Sequence, residues 1–167
     1  MKQTMINYIQ REKYDELYTP SEAILPIIKY LDKNKTYWEC TDFGESNITK
    51  ILIENGFKVI NTNKSQIDFL NDKVDFEFDV IITNPPYSLK DEFIKKCYQY
   101  EKPFMLLLPI TALEGKARNK LYKDKGIELI ILNKRINFMK EKNNVWFNTS
   151  WFCHQVCDKQ LNFEEVN

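Results

Sequence analysis

The chain has 167 residues, 43% of them hydrophobic and 29% charged, a composition that suits one soluble domain with its own core and excludes a disordered or fibrous chain. Its 24 basic and 24 acidic residues cancel, and no apolar run approaches the roughly 20 residues that span a bilayer, so no membrane partner is expected. Gly44, Gly56, Gly115 and Gly126 are the only glycines, too few for an intact G-x-G-x-x-G or Walker A loop.

In chain order, Met1 to Tyr18 lacks the apolar core of a signal peptide. The four cysteines, at 40, 97, 153 and 157, lack the spacing of a disulfide framework, which points to a cytoplasmic protein. Thr19-Pro20-Ser21-Glu22 predicts a helix start, with Thr19 or Ser21 as the cap and Ile24, Ile27, Ile28 and Leu31 at helical spacing to about Lys33. A short strand over Tyr37 to Asp42 and a helix from Ser46 to Asn55 follow, with Gly56 where a left-handed C-cap belongs. Phe57 to Asn61 is a strand, and Asp79 to Thr83 (DVIIT) is a strand of buried type. After Asn84-Pro85-Pro86-Tyr87, a helix is expected over Lys90 to Tyr100, a buried strand over Pro103 to Leu108, a helix over Thr111 to Lys123 and a strand over Ile127 to Leu132. The last strand, Thr149 to Val156, is expected to pair with its neighbour as a terminal hairpin.

Strands alternating with helices predict a mostly parallel α/β sheet covered on both faces, whose ligands sit at the carboxyl ends of its strands. No linker or repeat divides the chain, so a single domain over 1–167 is expected. The charges are uneven: residues 1–115 carry 14 basic and 18 acidic side chains, residues 116–142 nine and three, and residues 143–167 one and three. The basic segment reads either as a phosphate-facing strip or as a solvated helix face.

The tetrapeptide after the central strand carries the most chemistry. Asn84 and Pro85 each precede a proline, which drives both to extended geometry and fixes the direction of their carbonyls. Two convergent acceptors beside the ring of Tyr87 make a receptor for a planar molecule bearing an exocyclic amine. FDVIITNPPYSLKDEFI (78–94) resembles the catalytic segment of S-adenosylmethionine-dependent DNA amino-methyltransferases, above all the N6-adenine class, and the order YTP, NPPY, LLPITALEG and KRINFM is similar to small phage and prophage proteins of that type.

The resemblance implies a Rossmann-like class I methyltransferase sheet, mostly parallel with an antiparallel C-terminal hairpin. Many such enzymes carry a target-recognition domain, and here the expectation departs from them: no separate one within residues 1–167. It implies that the Asn84 side chain and the Pro85 carbonyl accept the two N–H bonds of adenine, that Pro86 stiffens the turn and that Tyr87 stacks on the base, flipped out of the duplex. It also implies that S-adenosylmethionine lies against Tyr18, Thr19 and Pro20, the loop of Asp42, Gly44 and Ser46, then Asn63, and Asp68 with Phe69. Phe138 is implied to close the base pocket, with Lys134 and Arg135 on phosphate.

This loop departs from the family pattern of an acid, three residues and Gly-x-Gly. Counting back from Gly44 puts Cys40 at the acidic position and Ser46 at the second glycine, unless Glu39 or Asp42 serves in a loop one residue longer. Asn63, or Asn61, stands where an acid usually holds the ribose.

Three functions remain open: a DNA adenine-N6 methyltransferase, an inactive relative that binds nucleic acid or a host protein, and an RNA adenine methyltransferase. A homodimer is a further possibility. No metal site is expected, since Cys153-His154-x-x-Cys157 reads as free thiols on a strand. Trp146, Phe147, Trp151 and Phe152 read first as core packing or a dimer contact, ahead of base stacking.

Overall fold

The computed structural model describes residues 19–138 and 148–166. Seven strands form one sheet: β1 (Thr36–Glu39), β2 (Lys58–Asn61), β3 (Val80–Thr83), β4 (Phe104–Pro109), β5 (Glu128–Leu132), β6 (Thr149–His154) and β7 (Leu161–Glu164). Their spatial order is β2-β1-β3-β4-β6-β5-β7. β1 runs parallel to β2 and β3, β3 to β4, and β5 to β7, whereas β6 is antiparallel to both β4 and β5. The mixed α/β sheet is therefore mostly parallel with an antiparallel C-terminal pairing, as expected. Two details differ. β6 pairs antiparallel with its chain neighbour β5, as expected, but also with β4, and β7 adds an edge strand beyond that pair which the polar alternation of LNFE did not signal.

Alternation within the strands splits the core in two. Tyr37, Val80, Ile82, Met105, Leu107 and Trp151 face one side, together with Ile48, Ile51 and Leu52 of helix α2 (Asn47–Glu54) and with helix α1 (Ser21–Ile24). Trp38, Ile81, Phe104, Leu106, Leu108 and Phe152 face the other, against Phe93, Ile94, Cys97 and Tyr98 of helix α3 (Lys90–Gln99) and Leu121 and Tyr122 of helix α4 (Lys116–Lys125). Trp151 and Phe152 are thus core residues on opposite faces. Trp151 Nε1 donates to the Ala23 carbonyl at 2.8 Å, which ties α1 to the sheet. Trp146 and Phe147 lie outside the described residues.

The first helix stops short of Lys33. Pro26 has no N–H and its ring crowds the carbonyl four residues back, so α1 gives way after Ile24 to a 3-10 helix over Leu25–Tyr30. Its caps also differ from expectation: Pro20 occupies the cap position, and no side chain caps the helix. The helix expected over 111–123 likewise divides into a 3-10 turn, Ile110–Leu113, and α4. Gly115 separates them at φ 112°, and a Cβ there would lie 2.7 Å from the Arg118 guanidinium. Arg118 uses that gap to donate to the Ala112 and Glu114 carbonyls and to pair with Asp91 on α3. Among the described residues no helix is long and apolar enough to cross a membrane.

Candidate active site at the carboxyl ends of the parallel strands

β1 ends on a carboxylate. Glu39 is 1% exposed, and hydroxyls stand in for the water it has lost. Its Oε1 accepts from the Thr41 N–H at 2.9 Å, the Thr41 hydroxyl at 3.0 Å and the Thr83 hydroxyl at 2.6 Å, while its Oε2 accepts from the Ser46 hydroxyl at 3.1 Å. Burial pushes its pKa up to about 7, and the hydrogen bonds from Thr83, Thr41 and Ser46 limit the rise. Thr83 is the last residue of β3, directly before Asn84, and its hydroxyl also lies 2.6 Å from that of Thr41. One buried carboxylate thereby joins the loop after β1 to the tetrapeptide after β3.

Asp42 organises the same loop from within. Its Oδ1 accepts from the Gly44 and Ser46 N–H groups at 2.7 and 3.0 Å, and its Oδ2 from the Thr49 hydroxyl at 2.7 Å. Burial alone would raise its pKa, but these donors, with the Asn61 side chain, hold it below the usual carboxylate value. Gly44 turns the loop at φ 104°, a region side chains rarely adopt, and the space beside its Cα is open. Phe43 beside it is 63% exposed. Ser46 occupies the cap position of α2 yet sends its hydroxyl to Glu39, so it serves the loop and not the helix.

Three further segments surround this loop. Thr19 is buried, and its carbonyl accepts from Asn47 Nδ2 at 2.9 Å, which docks Thr19-Pro20 against the start of α2. Tyr18 lies outside the described residues. Asn63 donates from Nδ2 to the Asp42 carbonyl at 3.2 Å, and its Oδ1 accepts from the N–H and hydroxyl of Ser65. That side chain is committed to a turn; Asn61, at the end of β2, is exposed, and its side chain bonds Asp42. Asp68 accepts from Asn71 Nδ2 and the Leu70 N–H, each at 3.0 Å, and the Asn71 bond is the main reason its pKa is low. Phe69 next to it points into the core, stacked on Phe93 at 4.9 Å between ring centroids.

On the β3 side, Asn84 is half-buried and Pro85 buried, and Pro86 holds an extended ψ of 123°. Tyr87 opens a 3-10 turn, Tyr87–Leu89, that runs into α3. Its ring packs against the aromatic side of the core, and burial raises the pKa of its hydroxyl.

The basic segment is not one strip in space. Lys116, Lys120 and Lys123 are exposed on α4, whose Leu121 and Tyr122 pack on one side of the sheet. Lys134, Arg135 and Phe138 follow β5, and Phe138 packs on the other side. Lys134 already pairs with Glu22 of α1 at 2.9 Å, and Arg135 is exposed.

The structure thus gathers Thr19, Pro20, Asp42, Gly44, Ser46, Asn63 and the Asn84 tetrapeptide at one end of the sheet. Thr41, Thr83 and Thr49 were missed by sequence reasoning, and Glu39 was only an alternative. The available signal was a glutamate closing an otherwise apolar strand, TYWE, two residues before a threonine.

A family described as adenine-specific methyltransferase EcoRI matches residues 64–166, more than half of the chain. The chain belongs to this family. Among solved structures, it is similar to the methyltransferase subunit of a type I restriction-modification system from Streptococcus thermophilus, at 16% identity and a TM-score of 0.52 over 90% of this chain and 47% of that one. It also matches a modification subunit of a putative type I restriction enzyme from Vibrio vulnificus YJ016, at 12% identity and a TM-score of 0.46 over 91% of this chain and 47% of that one. The chain therefore spans about half the length of the solved structures it matches. No curated protein matches the sequence. The Streptococcus likeness supports the methyltransferase-type sheet, and the family match covers the tetrapeptide, β4 to β7 and the basic segment.

Proposed function

We propose that this chain transfers a methyl group from S-adenosylmethionine to the N6 amine of an adenine flipped out of DNA. The observation that carries the reading is the junction at Thr83, where Asn84-Pro85-Pro86-Tyr87 leaves the carboxyl end of β3 while Thr83 is hydrogen-bonded through Glu39 to the loop of Asp42 and Gly44. A base reader and a cofactor loop must stand side by side for methyl transfer, and one shared carboxylate sets their spacing.

The residues present suit the methyl donor. Gly44 leaves open space where its loop turns, Asn61 is exposed at the end of β2, and Thr19-Pro20 is docked at the start of α2. S-adenosylmethionine would supply an electrophilic methyl on a sulfonium. The protein's part is to ready the nucleophile. The lone pair of an adenine amine is delocalised into its ring. The Asn84 side-chain oxygen and the Pro85 carbonyl, accepting its two N–H bonds, draw it toward a tetrahedral nitrogen and stabilise the positive charge that develops there. Tyr87, half-buried against the core, is the ring on which the base would rest, and the exposed Arg135 offers a cation to phosphate.

The test is Asn84→Ala. Radiolabelled methyl transfer to adenine-containing DNA should fall by roughly 100-fold or more, while cofactor binding measured by calorimetry stays within about twofold. Undiminished transfer would refute the acceptor role.

One observation favours a second reading. The Gly44 and Ser46 N–H groups already bond to Asp42, so the loop is satisfied without a ligand. A relative that binds nucleic acid or a host protein without methyl transfer would keep such a loop, and absence of S-adenosylmethionine binding at millimolar concentration would select it. Competition between DNA and RNA oligonucleotides separates the two substrates.

A further inference from the structure

β7 is the last strand of the sheet: β5 lies on its inner side and, among the described residues, no strand lies on its outer side. The Gln160 and Glu164 carbonyls accept from the Leu129 and Asn133 N–H groups at 2.8 and 2.9 Å. Even-numbered residues therefore turn their backbone groups toward β5, and the alternation of a parallel ladder turns the N–H and C=O of Leu161 and Phe163 outward. The side chains of these two residues are 52% and 72% exposed. They lie on the sheet face of Leu129 and Ile131, their register partners. Edge strands of soluble proteins are usually blunted by lysine or proline, and Leu161–Glu164 (LNFE) contains neither.

We propose that β7 pairs antiparallel with β7 of a second copy of the chain, about a two-fold axis through Asn162, joining two seven-stranded sheets into one. This register sets Leu161 opposite Phe163 of the partner subunit at both symmetric positions, so all four outward backbone groups of the strand find partners. Shifting by two residues in either direction sets Leu161 or Phe163 opposite itself and leaves the other opposite a residue beyond the strand. The ends of the strand agree with the choice. Exposed Lys159 precedes β7 and exposed Glu165 follows it, and the antiparallel register brings each next to the other's counterpart. Asp158, also exposed, falls opposite Val166. A free edge, an apolar pair that matches itself under the two-fold axis and opposite charges at opposite ends are the marks of a surface complementary to its own copy. The inference does not rest on methyl transfer.

Sedimentation equilibrium of the full chain tests it. The wild type should pass from monomer to dimer below roughly 0.5 mM. Phe163→Asp places a charge in the apolar pair without touching the core and should weaken the dimer by roughly 100-fold. Lys159→Glu or Glu165→Lys alone sets like charges together and should each weaken it by roughly tenfold, whereas the double variant restores the pairing and should recover wild-type association. A chain that stays monomeric at 0.5 mM, or a dimer indifferent to Phe163→Asp, overturns the proposal. Failure of the double variant to recover overturns the register, and with it the pairing about Asn162.

Discussion

Replacing Glu39 by glutamine should make the protein more stable above neutral pH. The carboxyl is 1% exposed, and burial raises its pKa from an ordinary 4.5 to about 7. The unfolded chain loses that proton near the lower value and the folded chain near the higher one. Between them the unfolded chain binds fewer protons, so the free energy of unfolding falls as pH rises. The gap between 4.5 and about 7, at roughly 1.4 kcal/mol per pH unit, comes to about 3 kcal/mol. Glutamine keeps an oxygen for the Thr41 and Thr83 donors and offers its NH2 to the Ser46 hydroxyl, which can turn to accept, but it does not ionise. Urea unfolding of both proteins should therefore give similar stabilities near pH 4.5 and a variant that is more stable by about 3 kcal/mol at pH 8, with most of the difference accumulating between pH 5 and 7. Every other titrating group is common to both proteins and cancels in the comparison. A difference constant across that range would mean that Glu39 is not held neutral by burial, and the account of the loop would fall with it. The carboxyl carbon resonance of Glu39, followed by NMR, should titrate with a midpoint near 7.

Three further outcomes follow from the same contacts. Thr83→Val removes a donor 2.6 Å from Glu39 at almost constant volume and should cost about 1–3 kcal/mol at pH 8, more than at pH 5, while Thr83→Ser should stay near wild type in the same urea titrations. Gly44→Ala meets no neighbour but must adopt φ 104°, so it should lower stability by about 1–2 kcal/mol and any cofactor affinity in proportion to the loop's distortion; a thermal melt unchanged from wild type would mean the loop can relax. Arg135→Gln should flatten the logarithmic salt dependence of DNA binding by about one, and Lys134→Gln should change it less, because Glu22 already neutralises that ammonium; equal effects in a fluorescence titration would contradict that pairing.

Loop satisfaction has a functional consequence. Asp42 takes two N–H groups that a glycine-rich loop would present to a ligand, and Asn63 spends its amide on the Asp42 carbonyl and on Ser65. A cofactor entering here would gain from shape and from the Thr19-Pro20 element, and it would compete with hydrogen bonds the protein already makes to itself, the one from Asn61 to Asp42 included. Polar groups that are paired before binding return little on binding, which places the test of cofactor affinity ahead of the test of catalysis.

The sequence by itself determined six of the seven strands and the approximate places of the helices, because hydrophobic periodicity records which side of each segment faces the core. Val80–Thr83 and Phe104–Pro109 are buried on both faces and form β3 and β4 near the centre of the sheet, and Gly56 closes α2 at φ 82°. It also set Asn84-Pro85-Pro86-Tyr87 at a strand end, where the geometry of the dipeptides is local. Only the tertiary structure decided which strands became neighbours. β6 entered between β4 and β5, and β7 formed by hydrogen bonding to β5 and not through a pattern of its own. The same limit hid the Glu39–Thr83 bond, whose partners stand 44 residues apart, and the division of the basic segment between two sides of the sheet. Periodicity reports how a residue is buried. The partner it is buried against depends on how the whole sheet assembles, and in this protein those partners join the loop after β1 to the tetrapeptide after β3.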